Sequence, residues 1–325
     1  MSADLSTDDL GVAALMPSSL SVEHGRRIAA TLDDPRSFVP GDALPLLWHW
    51  AFFTPEAPTA QLGPDGHPRL SADGPMADLP RRMWAGGSVR WSQPLRLGEP
   101  AERRSHVGTV EEKVGRSGRL LIVTLHHRYL QGGTVCIDET QDLVYRAAPD
   151  AQRQPASAPA PPRAPAPGPA PERASAPARG DGSPAASETG AAAIDAALVV
   201  RHEIREPLLL RYSAITFNAH RIHYDRPYAT AVEGYPGLVV HGPLLATLLT
   251  AAATEHAGGS TLASITYRGV APATAPATVT IAIDPSEDDG APALAGRAVR
   301  PDGTVAMHAT FALRDAPTTA PEQER

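Results

Sequence analysis

The chain contains very little cysteine, lysine and aromatic side chain. Among its 325 residues there is one cysteine, Cys136, and one lysine, Lys113. A single cysteine can form neither an internal disulfide nor a thiolate metal cluster, and we expect Cys136 to be an inert core residue. Aromatic residues make up 5% of the chain. That is too few for the stacking platforms that bind single-stranded nucleic acid.

The charge balance also argues against a nucleic-acid partner. The chain has 29 Lys and Arg residues against 36 Asp and Glu residues, which gives a formal net charge of −7. Affinity for DNA is built from clustered positive charge, which this chain lacks overall. Nearly all of its positive charge is arginine, which suits bidentate contacts with phosphates or carboxylates, so local basic pockets are compatible with this composition.

The sequence has no evident membrane or export segment. No run approaches the ~20 consecutive apolar residues that span a bilayer. The first 30 residues contain four acidic side chains and no apolar stretch behind a basic start, unlike a secretory or transit peptide. Together with the single cysteine, this predicts a soluble protein of the reducing cytoplasm that binds no membrane.

Proline is abundant and unevenly placed. Eleven of the 34 prolines fall between Pro149 and Pro184, in a stretch made mostly of Ala, Pro, Ser, Gly and Arg. This composition lacks the apolar side chains that offset the entropy of ordering. We therefore predict a disordered linker over 148–194, acting as a spacer rather than as a docking ligand. The remaining ~280 residues suit two domains, namely 1–147 and 195–316, followed by a disordered tail over 317–325.

The two halves show similar patterns of predicted elements. In each half, apolar helical segments precede several strand-like segments, which is an α+β arrangement. The apolar run at 44–53 could be a buried helix or a strand. In the first half we predict a helix over 20–31 and strands over 88–91, 106–114, 120–129 and 133–145. In the second half we predict a strand over 198–204, short helical turns over 211–231, a long helix over 244–256 and strands over 261–270, 277–284, 293–299 and 305–313. We expect each sheet to curl around an apolar helix.

Reactive side chains are concentrated between Tyr212 and Pro243, just ahead of the long apolar helix. Loops held by a rigid scaffold are where catalytic groups concentrate. Histidine titrates near neutrality and can move a proton to or from water. The members of this cluster are Asn218, His220, His223, Asp225 and His241.

The start of the long helix has features of an oxyanion site. Pro243 suits the first turn of a helix, and Gly242 lets a ligand approach the backbone closely. The free N–H groups and the positive dipole end at this point suit a developing negative charge. A bend between Asn218 and His223 can bring an amide and an imidazole into one pocket beside it. Water activation next to an oxyanion site is the chemistry that hydrates a conjugated thioester.

Each of these residues also has a structural interpretation. His220 or His241 taken alone could be a satisfied structural histidine, and Asn218 could cap a helix. Arg221 could bind phosphate or be a solvated surface charge. His220 and His223 are three residues apart and could hold a metal ion, but no third ligand with supporting spacing is evident in the sequence. We therefore predict no metal.

Two stretches resemble a known family. The segment from Phe217 to Leu244, FNAHRIHYDRPYATAVEGYPGLVVHGPL, resembles the signature of the MaoC-like enoyl-thioester hydratases. More narrowly, it resembles the branch with hydroxyacyl-thioester dehydratase type 2 and mesaconyl-C4-CoA hydratase. The segment from Met83 to Glu99, MWAGGSVRWSQPLRLGE, resembles the degenerate N-terminal dehydratase region of the same proteins. The resemblance implies a double hotdog fold: two antiparallel sheets, each wrapped around a central helix, with the catalytic motif in the second only.

The motif itself departs from the pattern of the wider family. That pattern is D-x-N-P-x-H, in which Asp and His together hold the catalytic water. The resemblance places His223 at the final His and Asn218 at the leading Asp, while His220 and Arg221 stand at the middle Asn and Pro. An amide can orient water but supplies no proton at neutral pH. Either His223 alone shuttles protons, which we favour, or Asp225 or Glu233 compensates.

The resemblance also implies the roles of further residues. The N–H of Gly242 would polarise the thioester carbonyl, and Thr250, two turns into the helix, would contact the acyl chain. The predicted catalytic residues are thus His223, Asn218 and Gly242. The predicted substrate-binding residues are His241, Arg221, Thr250 and Asp225.

The reaction implied is reversible syn-type addition of water to an α,β-unsaturated acyl-CoA, with CoA as part of the substrate and no cofactor. We favour a short branched dicarboxylic substrate, mesaconyl-C4-CoA or itaconyl-CoA, giving citramalyl-CoA, with Arg221 or Arg211 on the free carboxylate. The alternatives are dehydration of straight-chain 3-hydroxyacyl thioesters, a thioesterase of the same fold, and a non-catalytic acyl-CoA binding module. The chain would act as a monomeric double hotdog or a homodimer.

Overall fold

The computed structural model describes residues 5–70, 76–79, 81–115, 118–147, 194–257 and 260–314. The predicted linker over 148–194 lies outside these residues except for Ile194, and the predicted tail over 317–325 lies wholly outside them. No helix within the described ranges is long and apolar enough to cross a membrane.

The described part of the chain contains three α-helices and twelve strands. The first half has β1 (Leu15–Ser18), α1 (Val22–Leu32), β2 (Arg81–Trp91), β3 (Ala101–Gly115), β4 (Gly118–Gln131) and β5 (Thr134–Arg146). The second half has β6 (Leu198–Ile204), α2 (Glu206–Ile215), β7 (Leu238–Val239), α3 (Gly242–His256), β8 (Thr261–Gly269), β9 (Thr274–Ala275), β10 (Ala277–Asp288), β11 (Ala291–Val299) and β12 (Val305–Arg314). Short 3-10 helices lie at Asp8–Leu10, Trp48–Ala51, Thr59–Gln61 and Arg221–His223, and a π-helix lies at Tyr228–Val232.

Ten strands form one continuous antiparallel sheet in the order β1-β3-β4-β5-β2-β8-β12-β11-β10-β6. The sheets of the two halves join where β2 pairs with β8, from Gly86 opposite Arg268 to Arg90 opposite Ser264. Hydrogen bonds across this junction leave neither half with an open edge there. β7 and β9 pair separately, beside the start of α3.

In the second half the sheet curls around α3, as the apolar pattern predicts. Nine of its fifteen residues are buried, from Leu244 to Ala253, because a helix that is apolar on all sides can only be covered on all sides. The helix packs against β6, β8, β10, β11 and β12. A double hotdog with its long helix in the second half is confirmed.

In the first half the sheet covers a shorter element. The apolar run at 44–53 is neither a long helix nor a strand, since its regular part is the 3-10 helix Trp48–Ala51. Leu47 has a left-handed φ of 67° directly before it. Pro45 inside the run and Pro55 after it flank this 3-10 helix and oppose its extension. The helix α1 packs instead against α2 of the other half.

The strand β2 is longer than predicted, because Gly86 and Gly87 do not interrupt it. A Cβ at Gly86 would lie 2.7 Å from the backbone oxygen of Tyr267, and one at Gly87 would collide with the backbone oxygen of Thr140. Both glycines therefore permit close approach of neighbouring strands. As a result β2 begins at Arg81, and Arg82 and Trp84 become part of the junction between the halves.

Candidate active site

Four imidazoles lie in a row where the two halves meet. His67 comes from the first half, and His220, His223 and His241 come from the second. The ring centroids of successive members are 4.0, 5.4 and 3.6 Å apart, in the order His67, His220, His223, His241. We call this arrangement the histidine row. It brings together three of the residues that the sequence singled out and one that it did not.

His223 is buried at the end of the 3-10 helix Arg221–His223. Its Nδ1–H donates to the backbone oxygen of Val239 at 2.7 Å, which leaves Nε2 without a proton and able to accept one. Burial lowers the pKa of His223 to about 4, against the opposing effect of the Val239 hydrogen bond. His223 is therefore a neutral imidazole at pH 7, with one nitrogen fixed and the other available.

His241 stacks on His223 and directly precedes α3. Its Nε2 and the hydroxyl of Ser213 on α2 are 2.9 Å apart. Its buried Nδ1 has no hydrogen-bond partner among the described residues, and burial lowers its pKa. Because the two rings are 3.6 Å apart, the His223 ring lies beside the start of α3.

The N–H of Gly242 is available at that helix start. Leu245 donates its N–H to the oxygen of His241 and Pro243 has none, so Gly242 and Leu244 hold the N–H groups without an intrahelical acceptor. Trp84 of β2 covers this point, since a Cβ at Gly242 would be 2.5 Å from Cε3 of its ring. Glycine is required there because the first half of the chain packs directly on the backbone.

Asn218 forms a turn and does not cap a helix, because the 3-10 helix Arg221–His223 has His220 as its N-cap and no side-chain cap. Its Oδ1 accepts the backbone N–H of His220 at 2.9 Å, and Phe217 before it has a left-handed φ of 49°. Within the described residues no hydrogen bond joins the Asn218 side chain to His223. The Nδ2 amide of Asn218 is the part of the side chain left for a ligand.

The two carboxylates proposed as substitutes for an aspartate at position 218 are in ion pairs. Asp225 accepts from Nε and Nη2 of Arg221 at 3.0 and 2.7 Å, and this contact holds the pKa of the Asp225 carboxyl below its usual value. Glu233 pairs with Arg81 and accepts from the hydroxyl of Tyr228 at 3.1 Å. Neither carboxylate is poised to hold a water in the row.

The other predicted binding residues make structural contacts. Arg221 also donates from Nη1 to the oxygen of Pro64 at 2.9 Å. Arg211 donates to the oxygen of Ala30 in α1 at 3.3 Å. Thr250 is buried and donates to the oxygen of Ala246 at 2.8 Å, one turn earlier in α3. The two arginines thus tie the halves together in this structure.

Sequence reasoning missed the contribution of the first half. Asp65 and His67 lie in a Gly/Pro-rich loop that resembles an ordinary turn, and Arg82 and Trp84 lie on β2. A lone Asp-Gly-His in such a loop has no distinguishing periodicity. The one indication in the sequence was that Met83–Glu99 resembles a dehydratase region. That resemblance indicates common ancestry but does not indicate a contact with His223.

Asp65, His67 and His220 place one ligand atom each within 4.8 Å of one another and could therefore hold a metal ion. This group includes His220 but not His223, so it differs from the His220 and His223 pair considered from the sequence, and two of its three ligands come from the first half. Burial is the largest cause that lowers the pKa of His220, and nearby Arg82 and Arg81 lower it further. Arg81 is paired with Glu233, so it is the charge of Arg82 that opposes a divalent cation there and attracts an anion.

A family model and a known protein that match this chain are both thioester dehydratases or hydratases. The family model for hydroxyacyl-thioester dehydratase type 2 matches residues 47–177 and 171–275. Mesaconyl-C(4)-CoA hydratase of Chloroflexus aurantiacus is 40% identical over 289 residues, which are 88% of this chain and 89% of that protein.

Solved structures share the fold. A MaoC-like dehydratase from Phytophthora capsici has a TM-score of 0.62 and 12% identity, covering 94% of this chain and 96% of that one. A Mycobacterium tuberculosis protein described as a double hotdog has a TM-score of 0.52 and 14% identity, covering 95% and 98%.

Proposed function

We propose that this chain, which belongs to the hydroxyacyl-thioester dehydratase type 2 family, catalyses the reversible addition of water to an α,β-unsaturated acyl-CoA. One observation supports this above all. A buried neutral imidazole, His223, has a free Nε2 and stacks on the residue that precedes the N-terminus of α3. A hydrogen-bond acceptor for water and an oxyanion donor thereby lie side by side, which is what hydration of a conjugated thioester requires.

The reaction follows from this arrangement. The thioester oxygen accepts the N–H of Gly242, and the positive end of α3 stabilises the enolate that develops. A water held by Nε2 of His223 and Nδ2 of Asn218 adds to the β-carbon. One O–H bond of the water breaks, an imidazole of the site takes that proton, and the same proton then forms the new C–H bond at the α-carbon. One preorganised oxyanion donor contributes about 3–4 kcal/mol in acyl chemistry.

We further propose a short branched dicarboxylic substrate, mesaconyl-C4-CoA or itaconyl-CoA, with citramalyl-CoA as the product. The 40% identity to a mesaconyl-C(4)-CoA hydratase supports this choice. A free carboxylate needs a cation, and both Arg221 and Arg211 already have acceptors. Arg82 is better placed, because it lies two residues before Trp84 on β2, and alternate residues of a strand share a face.

Arg82 has two properties of an anion site. Its charge lowers the pKa of His67 and of His220, although burial is the larger cause for both, so its guanidinium is close to the row. Among the described residues no carboxylate lies within ion-pair distance of Arg82, whose polar neighbour is the hydroxyl of Tyr145 on β5, whereas Arg81 is paired with Glu233. We propose that Arg82 binds the free carboxylate of the substrate.

The proposal also includes the cofactor requirement, oligomeric state, domains and location of the enzyme. The chemistry needs neither a metal nor a redox cofactor, since CoA is the carrier part of the substrate. The β2–β8 junction already supplies the pairing that single hotdogs obtain by dimerising, so we propose a monomeric double hotdog or a homodimer of it. We propose domains over 1–147 and 195–316 and a cytoplasmic location.

A spectrophotometric assay tests the function. Crotonyl-, mesaconyl- and itaconyl-CoA are each incubated with the protein while enoyl absorbance and free thiol are recorded. Hydration removes the enoyl absorbance without releasing thiol. A thioesterase would release thiol, and a non-catalytic binder would change neither signal. Activity on crotonyl-CoA alone would favour the straight-chain dehydratase instead.

A further inference from the structure

We propose that Asp65 and His67, contributed by the first half of the chain, are the acid–base pair of this site, in place of the carboxylate that position 218 lacks. This inference rests on the hydration proposed above and identifies the imidazole that takes the proton as His67, in place of His223, which the sequence favoured as the only proton shuttle. His67 would be the catalytic residue, and Asp65 would be the positioning residue that acts through it.

Both carboxylate oxygens of Asp65 are directed at His67. Oδ2 accepts Nδ1–H at 3.0 Å, and Oδ1 accepts the backbone N–H of His67 at 3.1 Å. The carboxylate therefore fixes the tautomer, with the proton on Nδ1 and a free lone pair on Nε2. This is the arrangement in which a carboxylate orients an imidazole base and stabilises the imidazolium that forms.

Within the described residues, His67 is the one member of the histidine row with a carboxylate partner. His223 donates to the backbone oxygen of Val239, and His241 bonds to the hydroxyl of Ser213. A proton taken from water places a positive charge on the imidazole that accepts it. A fixed negative charge stabilises that state, whereas a neutral oxygen does so less. His223 then holds the water, and His67 takes its proton.

The loop that bears the pair is fixed to the second half of the chain. The backbone N–H of Arg221 donates to the oxygen of Asp65 at 2.8 Å, and its Nη1 donates to the oxygen of Pro64. Arg221 also begins the 3-10 helix that ends at His223. One residue thus sets the position of the Asp65–His67 pair relative to His223.

The step balances with these groups alone. As the water oxygen bonds to the β-carbon, the O–H electron pair stays on oxygen and the proton moves to Nε2 of His67. The thioester enolate formed at Gly242 then takes the same proton at the α-carbon. His67 returns to its neutral form, and no other reactant is consumed.

The charged and titratable groups around His67 are Asp65 on its own loop, Arg82 on β2, and His220 and His223 from the second half. Burial and Arg82 lower the pKa of His67, while Asp65 raises it. The reaction needs neutral His67, so activity falls as the pH drops through its pKa. Loss of the Asp65 charge moves that acidic limb to lower pH.

The test compares wild-type protein with Asp65→Asn and His67→Gln in the enoyl-CoA assay across pH. His67→Gln should lower kcat roughly a hundredfold, the scale of general acid–base catalysis, with KM little changed. Asp65→Asn should lower kcat less and shift the acidic limb of kcat/KM to lower pH. His126→Gln is the matched control, since His126 stacks on His106 within the same half, away from the row.

The outcomes separate the two proposals. An inactive wild-type protein would refute the proposed function. An active wild type with full kcat in His67→Gln, or an unmoved acidic limb in Asp65→Asn, would refute the acid–base pair alone. The acid–base pair would also be refuted if the wild-type protein bound one metal ion per chain and His67→Gln did not. If His67→Gln does not fold, the Asp65→Asn profile decides by itself, since that variant keeps the size of the side chain.

Discussion

Within the described residues, two pairs of histidine and carboxylate lie in very different surroundings. His49 and Glu139 lie under the first sheet with side chains 1% exposed, whereas the side chains of His67 and Asp65 are 18% and 22% exposed. Glu139 accepts from His49, from Nε1 of Trp50 and from the hydroxyl of Tyr129, at 3.1, 2.9 and 2.7 Å. Among the residues that the structure describes, the side chain of Asp65 bonds to His67 alone.

The difference separates a pair that stabilises the fold, His49 and Glu139, from a pair that can take part in the reaction, His67 and Asp65. Burial raises the pKa of Glu139, but the hydrogen bond and charge of His49, the charge of His127 and the hydrogen bond from Tyr129 outweigh it and bring the pKa to about 2. A carboxylate with three donors is fully engaged and contributes to stability. The pair of Asp65 and His67 is more exposed, and the free imidazole nitrogen of His67 can still contact a substrate. The same residue types therefore serve folding in one place and, in our proposal, catalysis in the other.

The largest expected effect is on the structural pair. Glu139→Gln removes a buried charge that three donors surround, and breaking such a network costs about 3–5 kcal/mol of unfolding free energy. Chemical denaturation measures this cost, and kcat of the folded variant should be unchanged. The matched control is Asp138→Asn, the neighbouring carboxylate, which is exposed and paired with Arg128. Equal stability of both variants would contradict the structural role of Glu139.

The pH dependence of stability sharpens the same contrast. The folded pKa of Glu139, about 2, is below its ordinary value of 4.5. Its stabilisation is therefore present above pH 4.5 and is lost as the pH falls towards 2. The stability difference between wild type and Glu139→Gln should shrink over that window. A constant difference would show that the Glu139 charge is not its source.

The next effect is on the oxyanion donor. Gly242→Pro removes the N–H, but any Cβ there collides with Trp84. The comparison is therefore made in a Trp84→Ala background, between Gly242→Ala, which keeps the N–H, and Gly242→Pro, which does not. Removing one such donor lowers kcat by about 10²–10³-fold. Equal kcat for the two double variants would rule out the Gly242 N–H as the donor.

The next largest expected effect is the loss of His223, the imidazole that holds the water. His223→Ala is expected to lower kcat by roughly a hundredfold or more, because Nε2 of His223 is the acceptor beside the helix start. Circular dichroism checks the fold, and His126→Ala serves as the histidine control. Near-wild-type turnover would remove His223 from the mechanism.

The smallest expected effect concerns substrate choice. Arg82→Gln should raise KM for mesaconyl-C4-CoA by about tenfold, as expected for losing one charge-assisted contact of 1.5 kcal/mol. KM for crotonyl-CoA, which has no free carboxylate, should be unchanged. Arg211→Gln is the control, since Arg211 donates to the backbone oxygen of Ala30 in α1. An equal rise for both substrates would assign Arg82 a general role in binding CoA.

The second half of the molecule was largely predictable from the sequence. The strand at 198–204 and the apolar helix after Gly242 follow from local periodicity, and the structure has them as β6 and α3. The family resemblance rested on a contiguous segment, Phe217 to Leu244, whose residues also lie close in space. Where the motif is local, sequence neighbours are also structural neighbours.

The first half was less predictable, for physical reasons. The run at 44–53 is apolar enough for a helix, but a left-handed Leu47 and flanking prolines limit it to one 3-10 turn. Asp65 and His67 join the row through tertiary contacts with His220 and Arg221, more than 150 residues later in the chain. The spacing of residues in a sequence does not reveal a contact between segments so far apart. The role of the first half therefore became visible only with the fold.

The measurement that tests the central claim most directly uses isotopically labelled water. Wild-type protein and His223→Ala are incubated with mesaconyl-C4-CoA in H₂¹⁸O, and the thioester product is analysed by mass spectrometry. Our account predicts an intact acyl-CoA that gains one labelled water, formed by wild type and at least about a hundredfold more slowly by the variant. Release of free CoA, or equal label uptake by both proteins, would contradict it.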